Sequence, residues 1–191
     1  MTGPGLPPVA PGQWERKTRA LLDPSEYESP LFLVLAHHEP LLRNWYRFTG
    51  RLMAGTTLTD REREVLTLRL SWRTGTPLQW GEHVGAGLRA GLVPDEIASL
   101  AGEEPSTGWS ARERTVIEAA DQLWDTGAIG GDLLTRLSGH FSIREVLEVL
   151  FIAGNTVMVA AVVNTLGISG DFAGVRDLTT LPSSDSVRER S

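Results

Sequence analysis

LTDREREVLTLRLSWRTGTPLQWGEHVGAGLRA, residues 58–90, reads as two helices joined by a tight reversal. Thr59-Asp60-Arg61-Glu62 has the form of a capping box, in which the Thr59 hydroxyl accepts from the N–H of Glu62 and the Glu62 carboxylate reaches back to the N–H of Thr59. The helix opened there is predicted to run to about Trp72. Thr74-Gly75-Thr76-Pro77 breaks it, because Gly closes helices and Pro starts them. A second helix is predicted from about Leu78 to Ala90, ending at Gly91. Thr76, Gln79, Trp80 and His83 recur at helical spacing and share one face of it. If the chain folds back at Gly75, Glu64 comes opposite residue 86, about three residues or roughly 4.5 Å of helical rise from His83. A glutamate side chain can close much of that offset.

The flanking chain is also helical in pattern, with no convincing alternating strand, so the fold class is all-α. Trp14 to Leu22 suggests a first turn or two, and Leu31 to Ala36 begins a helix that Pro40 interrupts or restarts. From Leu41 to Met53, residues Leu41, Leu42, Trp45, Phe48 and Leu52 fall at the spacings of one helical face. Pro94-Asp95-Glu96 opens a short helix through Leu100. Ser110-Ala111-Arg112-Glu113 is a second capping box, heading a helix to about Asp125. Gly127 to Gly131 reads as a loop, a short helix follows to Gly139, and Ser142 caps a long helix to about Leu166. The stretch around the first cap echoes that around the second, Trp109 to Ile117, though similar caps also arise independently in helical proteins. Residues 1–13, rich in Pro and Gly, are expected to be a flexible arm, 14–174 one helical domain and 175–191 a flexible tail.

Composition narrows the function. The 191 residues suit one domain, and with no cysteine the chain has no disulfide, thiolate nucleophile or thiolate metal ligand. A net charge of −6 argues against a polyanion partner, since arginines here are interleaved with acids. No secretory signal is visible, and a cytoplasmic location is expected. The most apolar run, Val149 to Val163, is shorter than the roughly 20 residues of a membrane span, and Asn155 interrupts it. It is expected to be a buried core helix, with no membrane partner.

Glu64 and His83 carry the chemistry the sequence offers. Imidazole titrates near neutral pH, and a carboxylate on one ring nitrogen fixes the tautomer and raises the basicity of the other. Spacing alone favours His83 as a satisfied interior histidine and Glu64 as a first-turn acid stabilised by the helix dipole. His37 and His38 are adjacent and point in different directions, and without a His-x-x-x-His or carboxylate cluster no metal is expected. The tryptophans suit core and interface, Asn155 and Asn164 need partners wherever the last helix is buried, and Gly81, Gly85, Ala86 and Ala90 leave a small-residue face suited to a close helix crossing.

Three blocks arrive together in order: LTDREREVL (58–66), WGEHV (80–84) and AGLVPDEIA (90–98). With them, residues 31–170 resemble the carboxymuconolactone decarboxylase family, which includes the alkylhydroperoxidase D proteins. The resemblance implies that family's helical bundle and assembly as a homo-oligomer, a trimer or hexamer. In the peroxidase branch the pattern is Glu, then Cys-x-x-Cys-x-x-x-His, which falls on Glu64, Thr76, Gln79 and His83. The acid and the imidazole are kept and both thiols are replaced. Peroxide reduction by that route needs one thiolate to attack and a second thiol to resolve, and Thr and Gln do neither. What the resemblance implies is therefore the cofactor-independent branch: a lyase-like enzyme on a small oxygenated acid or lactone, with His83 and Glu64 catalytic and Thr76, Gln79, Trp80 and His38 lining the substrate pocket. A non-catalytic binding or assembly protein of the same fold is the alternative. LTDREREVL with DEIA (95–98) also resembles response-regulator helix-turn-helix domains. There the pieces lie about half as far apart and a basic recognition helix follows. Here SLAGEE (99–104) follows, so nucleic acid is not expected.

Overall fold

A computed structural model of the chain describes residues 5–103, 105 and 108–170. Those residues form helices and turns with no strand. Two short helices, α1 (Arg16–Arg19) and α2 (Pro30–Leu35), precede α3 (Glu39–Ala54), α4 (Asp60–Arg73), α5 (Pro77–Arg89), α6 (Pro94–Leu100), α7 (Ala111–Thr126), α8 (Gly131–His140) and α9 (Ile143–Leu166). Their ends follow local chemistry. Thr59, Ser110 and Ser142 each accept from the N–H of the glutamate three residues on, and each glutamate returns a bond to the cap N–H, which opens α4, α7 and α9. The chain leaves α7 and α9 through Gly127 and Gly167, at φ +74° and +63°, where a side chain would be strained.

Helix α4 is the centre. Val65 to Ser71 is buried without interruption, and α5, α6, α7 and α9 all pack on it. Three ion pairs fix its direction against α7: Arg61 with Glu113, Arg69 with Asp121 and Arg73 with Asp125, each 52 positions apart. A constant offset means that the two helices run the same way. Helix α9 does so too, because Glu148 meets Thr57 near the start of α4 and Asn164 meets Thr74 at its end. Three positive helix ends thus share one end of the bundle and repel one another. The N3 acids Glu62, Glu113 and Glu145 answer that charge, and two arginines tie the ends together. Arg61 bridges Glu113 of α7 and Glu96 of α6, while Arg112 bridges Glu62 of α4 and Glu145 of α9.

The main core joins Val65, Leu66, Leu68 and Leu70 of α4 to Trp80, Ile97, Val116, Leu137, Val149 and Ile152. A second cluster, with Trp14, Leu31, Phe32 and Leu42, lies on Leu78 and on Val159 and Val163 of α9. The expected loose arm is tied down over part of its length. Val9 donates to the Leu33 carbonyl, the Trp14 indole donates to that of Val9, and His37 to that of Pro7. The expected tail, 175–191, lies outside the described residues. Of the α3 row, Leu42 is buried but Leu41 and Phe48 are 51 % and 41 % exposed, so part of that face has no cover in one chain. The apolar run at the C-terminal side belongs to a 24-residue helix, long and apolar enough by length and composition to cross a membrane. Half of its most apolar window is buried in the bundle.

Candidate acid–base site

Glu64 lies on the buried side of α4, four residues into the helix, and His83 on α5 beyond the reversal. Gly75 makes that reversal at φ +59°, and it is locked by the Thr74 and Thr76 hydroxyls, 2.9 Å apart, and by the Asn164 amide, which donates to the Thr74 carbonyl and the Thr76 hydroxyl. The result is a contact of 2.7 Å between His83 Nδ1 and Glu64 Oε2. Glu64 accepts with one oxygen from His83 and with the other from Arg63 Nε at 3.3 Å. Its side chain is 4 % exposed and that of His83 24 %, so the acid is shielded and the imidazole reaches the surface.

With a carboxylate on Nδ1, that nitrogen carries the proton in neutral imidazole and Nε2 presents its lone pair. Nε2 makes no hydrogen bond to the described residues. A proton taken up at Nε2 leaves the Nδ1–H bond to Glu64 in place. The arrangement can therefore accept and return one proton. Beside it, the protein around Glu82 raises that carboxyl above its ordinary range, with His83 acting the other way. Glu82 is nevertheless open to solvent on its outer side.

The expected pocket walls are placed differently from the sequence reading. Thr76 and Trp80 are 0 % and 1 % exposed, and Trp80 is a member of the main core. Spacing along α5 put them on the His83 face but could not show that neighbouring helices close over that face. Gln79, one turn before His83, is 5 % exposed, and its Oε1 is buried without a partner, a costly state for a carbonyl oxygen. His38 stands apart. It is the N-cap of α3, its Nδ1 accepts from the N–H of Leu41 at 3.1 Å, and its segment packs on α2 and α3. Two hollows on the α3–α9 side, of about 260 and 360 Å³, are lined by neither His83 nor Glu64. Among the described residues no group of three or more His, Asp or Glu is placed to hold a metal ion. Arg63 went unread in the sequence, because adjacent helical residues normally face apart.

Comparison with known proteins agrees with this architecture. The fold resembles that of an uncharacterized peroxidase-related protein from Ralstonia eutropha JMP134 with an alkylhydroperoxidase AhpD core, at TM-score 0.77 and 17 % identity over 90 % of this chain and 94 % of that one. It also resembles a protein of unknown function from Agrobacterium tumefaciens linked by name to the antioxidant defence protein AhpD, at TM-score 0.67 and 18 % identity over 72 % and 94 %. No curated protein matches the chain. Residues 39–122, from the start of α3 into α7 and including both Glu64 and His83, match the carboxymuconolactone decarboxylase family. Through that segment and the helical fold built on it, the chain is similar to the carboxymuconolactone decarboxylase family, and it has no cysteine with which to form a redox cysteine pair.

Proposed function

We propose that the chain is a cofactor-independent, lyase-like enzyme, a decarboxylase, dehydratase or isomerase, acting on a small oxygenated organic acid or lactone. The observation that carries this reading is the 2.7 Å bond between the shielded Glu64 and the partly exposed His83. Nε2 of His83 removes a proton from the carbon next to a carbonyl, and the electron pair moves onto the carbonyl oxygen. The imidazolium, held by Glu64, then returns the proton to carbon. In a decarboxylation the same nitrogen, already protonated, supplies the proton to the carbon that carbon dioxide leaves. The unpaired Oε1 of Gln79, one turn away, suits a hydroxyl donor on the substrate. The chain supplies no thiol, so dithiol peroxide reduction is closed to it. A cysteine-free chain suits a reducing compartment, and we place the reaction in the cytoplasm.

The test is hydrogen–deuterium exchange at the carbon next to the carbonyl, followed by NMR across a panel of oxo acids and lactones in D2O. Wild type should exchange at least one of them, and His83→Ala should lose about 10²-fold or more, the contribution of a placed acid/base. The second reading, a binding or assembly protein with His83 idle, draws on the burial of Thr76, Gln79 and Trp80. It gains if wild type and His83→Ala bind the same compounds and exchange none.

A further inference from the structure

Asn155 stands in α9, 8 % exposed, and its amide is held from one side only. Its Oδ1 accepts from the Trp45 indole N–H at 2.9 Å and from the Thr49 hydroxyl at 3.2 Å, both on α3. An indole nitrogen can only donate, so the oxygen is the atom that faces α3 and the NH2 group points the other way. That NH2 makes no hydrogen bond to the described residues. Asn155 also lines the larger of the two hollows on this side, about 360 Å³, together with Phe48, Leu150, Phe151, Gly154 and Met158. Neither Glu64 nor His83 lines it, so it stands apart from the reaction proposed above.

The rest of the wall is apolar. Phe48 and Phe151 meet edge to face with ring centroids 6.3 Å apart, and Met158 adds a thioether, surroundings that suit an aromatic ring. No charged side chain lines the hollow, so a carboxylate there would carry its charge without a partner. Gly154 leaves space in the wall. It is the twelfth of 24 residues in α9, where glycine weakens a helix, yet a Cβ there would meet nothing within 4 Å, so the chain's own packing does not call for it. The volume falls at the small end of the roughly 300–1,000 Å³ of ligand sites.

We infer that this hollow is a binding site for a small, uncharged aromatic carbonyl compound. The ligand's oxygen accepts from the Asn155 amide, and its ring lies against Phe48, Phe151 and Met158. The amide thereby gains the acceptor that its own chain does not provide, in a place where an unmet donor is costly. A hydrocarbon of the same shape fills the space but leaves the amide bare, and a carboxylate leaves its own charge bare. The hollow therefore selects by the neutral oxygen.

The test titrates the ¹⁵N-labelled full chain with three probes of similar shape. Acetophenone carries the oxygen, α-methylstyrene has a methylene in its place, and benzoate carries a charge. Acetophenone should move the Asn155 side-chain NH2 signals to saturation, with a Kd about fivefold or more below that of either other probe, the difference one neutral hydrogen bond makes. Gly154→Leu, which enters the hollow at a position where a Cβ meets nothing within 4 Å, should keep or raise the thermal midpoint and lose acetophenone. Asn155→Asp keeps an acceptor for Trp45 and Thr49 but turns an oxygen to the hollow, and should lose the preference for acetophenone over α-methylstyrene. No saturable shift, equal affinity for the three probes, or intact binding in Gly154→Leu would overturn the inference. So would an affinity that falls as protein concentration rises, which would put a second copy of the chain over the hollow.

Discussion

In the proposed reaction a glutamate side chain 4 % exposed and a histidine 24 % exposed take complementary parts: the first holds the ring from the shielded side, and the second meets the solvent. If so, Glu64→Gln should lower turnover more than it weakens binding, read as a fall in kcat with little change in KM. Unchanged activity would remove Glu64 from the mechanism. Trp80 belongs to stability instead. Trp80→Ala should cost about 4 kcal/mol in denaturant unfolding, the scale of a buried aromatic truncation. A loss of activity at unchanged stability would return Trp80 to the site. The pair was legible because helical period and the Gly75 break fix which residues can meet. The fate of Thr76 and Trp80 was not, because period tells which face a residue is on and nothing about what lies over it. His38 shows the same limit: its ring is used by its own helix start, a local bond that the adjacent His37-His38 pair does not announce.

Capping boxes made the starts of α4, α7 and α9 readable, since two reciprocal bonds per cap leave a fixed three-residue signature. Ser110→Ala should cost about 1 kcal/mol by thermal or urea unfolding, with no change in the slope of the transition. What the sequence only hinted at, in the echo between Leu58–Leu66 and Trp109–Ile117, is how the two caps use each other. Arg61 reaches Glu113 and Arg112 reaches Glu62, each at 2.5 Å, so the second residue of one helix holds the third of the other. Burial opposes charge on Glu62 and Glu113, but the arginines and cap N–H groups outweigh it and hold both carboxyls below their ordinary range. Arg112 is partly open to solvent, which screens the pair, so a double-mutant cycle on Arg112 and Glu62 should return a coupling of about 0.5–1 kcal/mol. Additive losses would mean that the cross-tie is only a surface contact.

Across the whole molecule, Glu148 shows how one side chain binds distant parts. Its Oε2 accepts from the N–H of Thr57 at 2.8 Å and from the hydroxyls of Thr56 and Thr57 at 2.9 Å, clasping the α3–α4 connection to α9. Burial works against its charge, but these bonds with Arg144 prevail and pull the carboxyl down to about 2 from an ordinary 4.5. A depressed folded-state value stabilises above the unfolded one, so this contribution is complete above pH 4.5 and lost as pH falls toward 2. Glu148→Gln should flatten the acid side of the stability profile; a profile parallel to wild type would remove the clasp from the acid response. Helix identity and order were read from pattern, whereas the common direction of α4 and α7 rests on ion pairs 52 positions apart, and that of α9 on bonds from Glu148 and Asn164, none of which a local pattern encodes.

The central claim is that Glu64 sets the protonation of His83, and the most direct measurement is the ¹⁵N NMR spectrum of the His83 ring in its neutral form. The geometry predicts the proton on Nδ1 and a bare Nε2, with that preference lost in Glu64→Ala, which leaves no acceptor at Nδ1. A bare Nδ1 with the proton on Nε2, or a spectrum unchanged in the variant, would contradict the account.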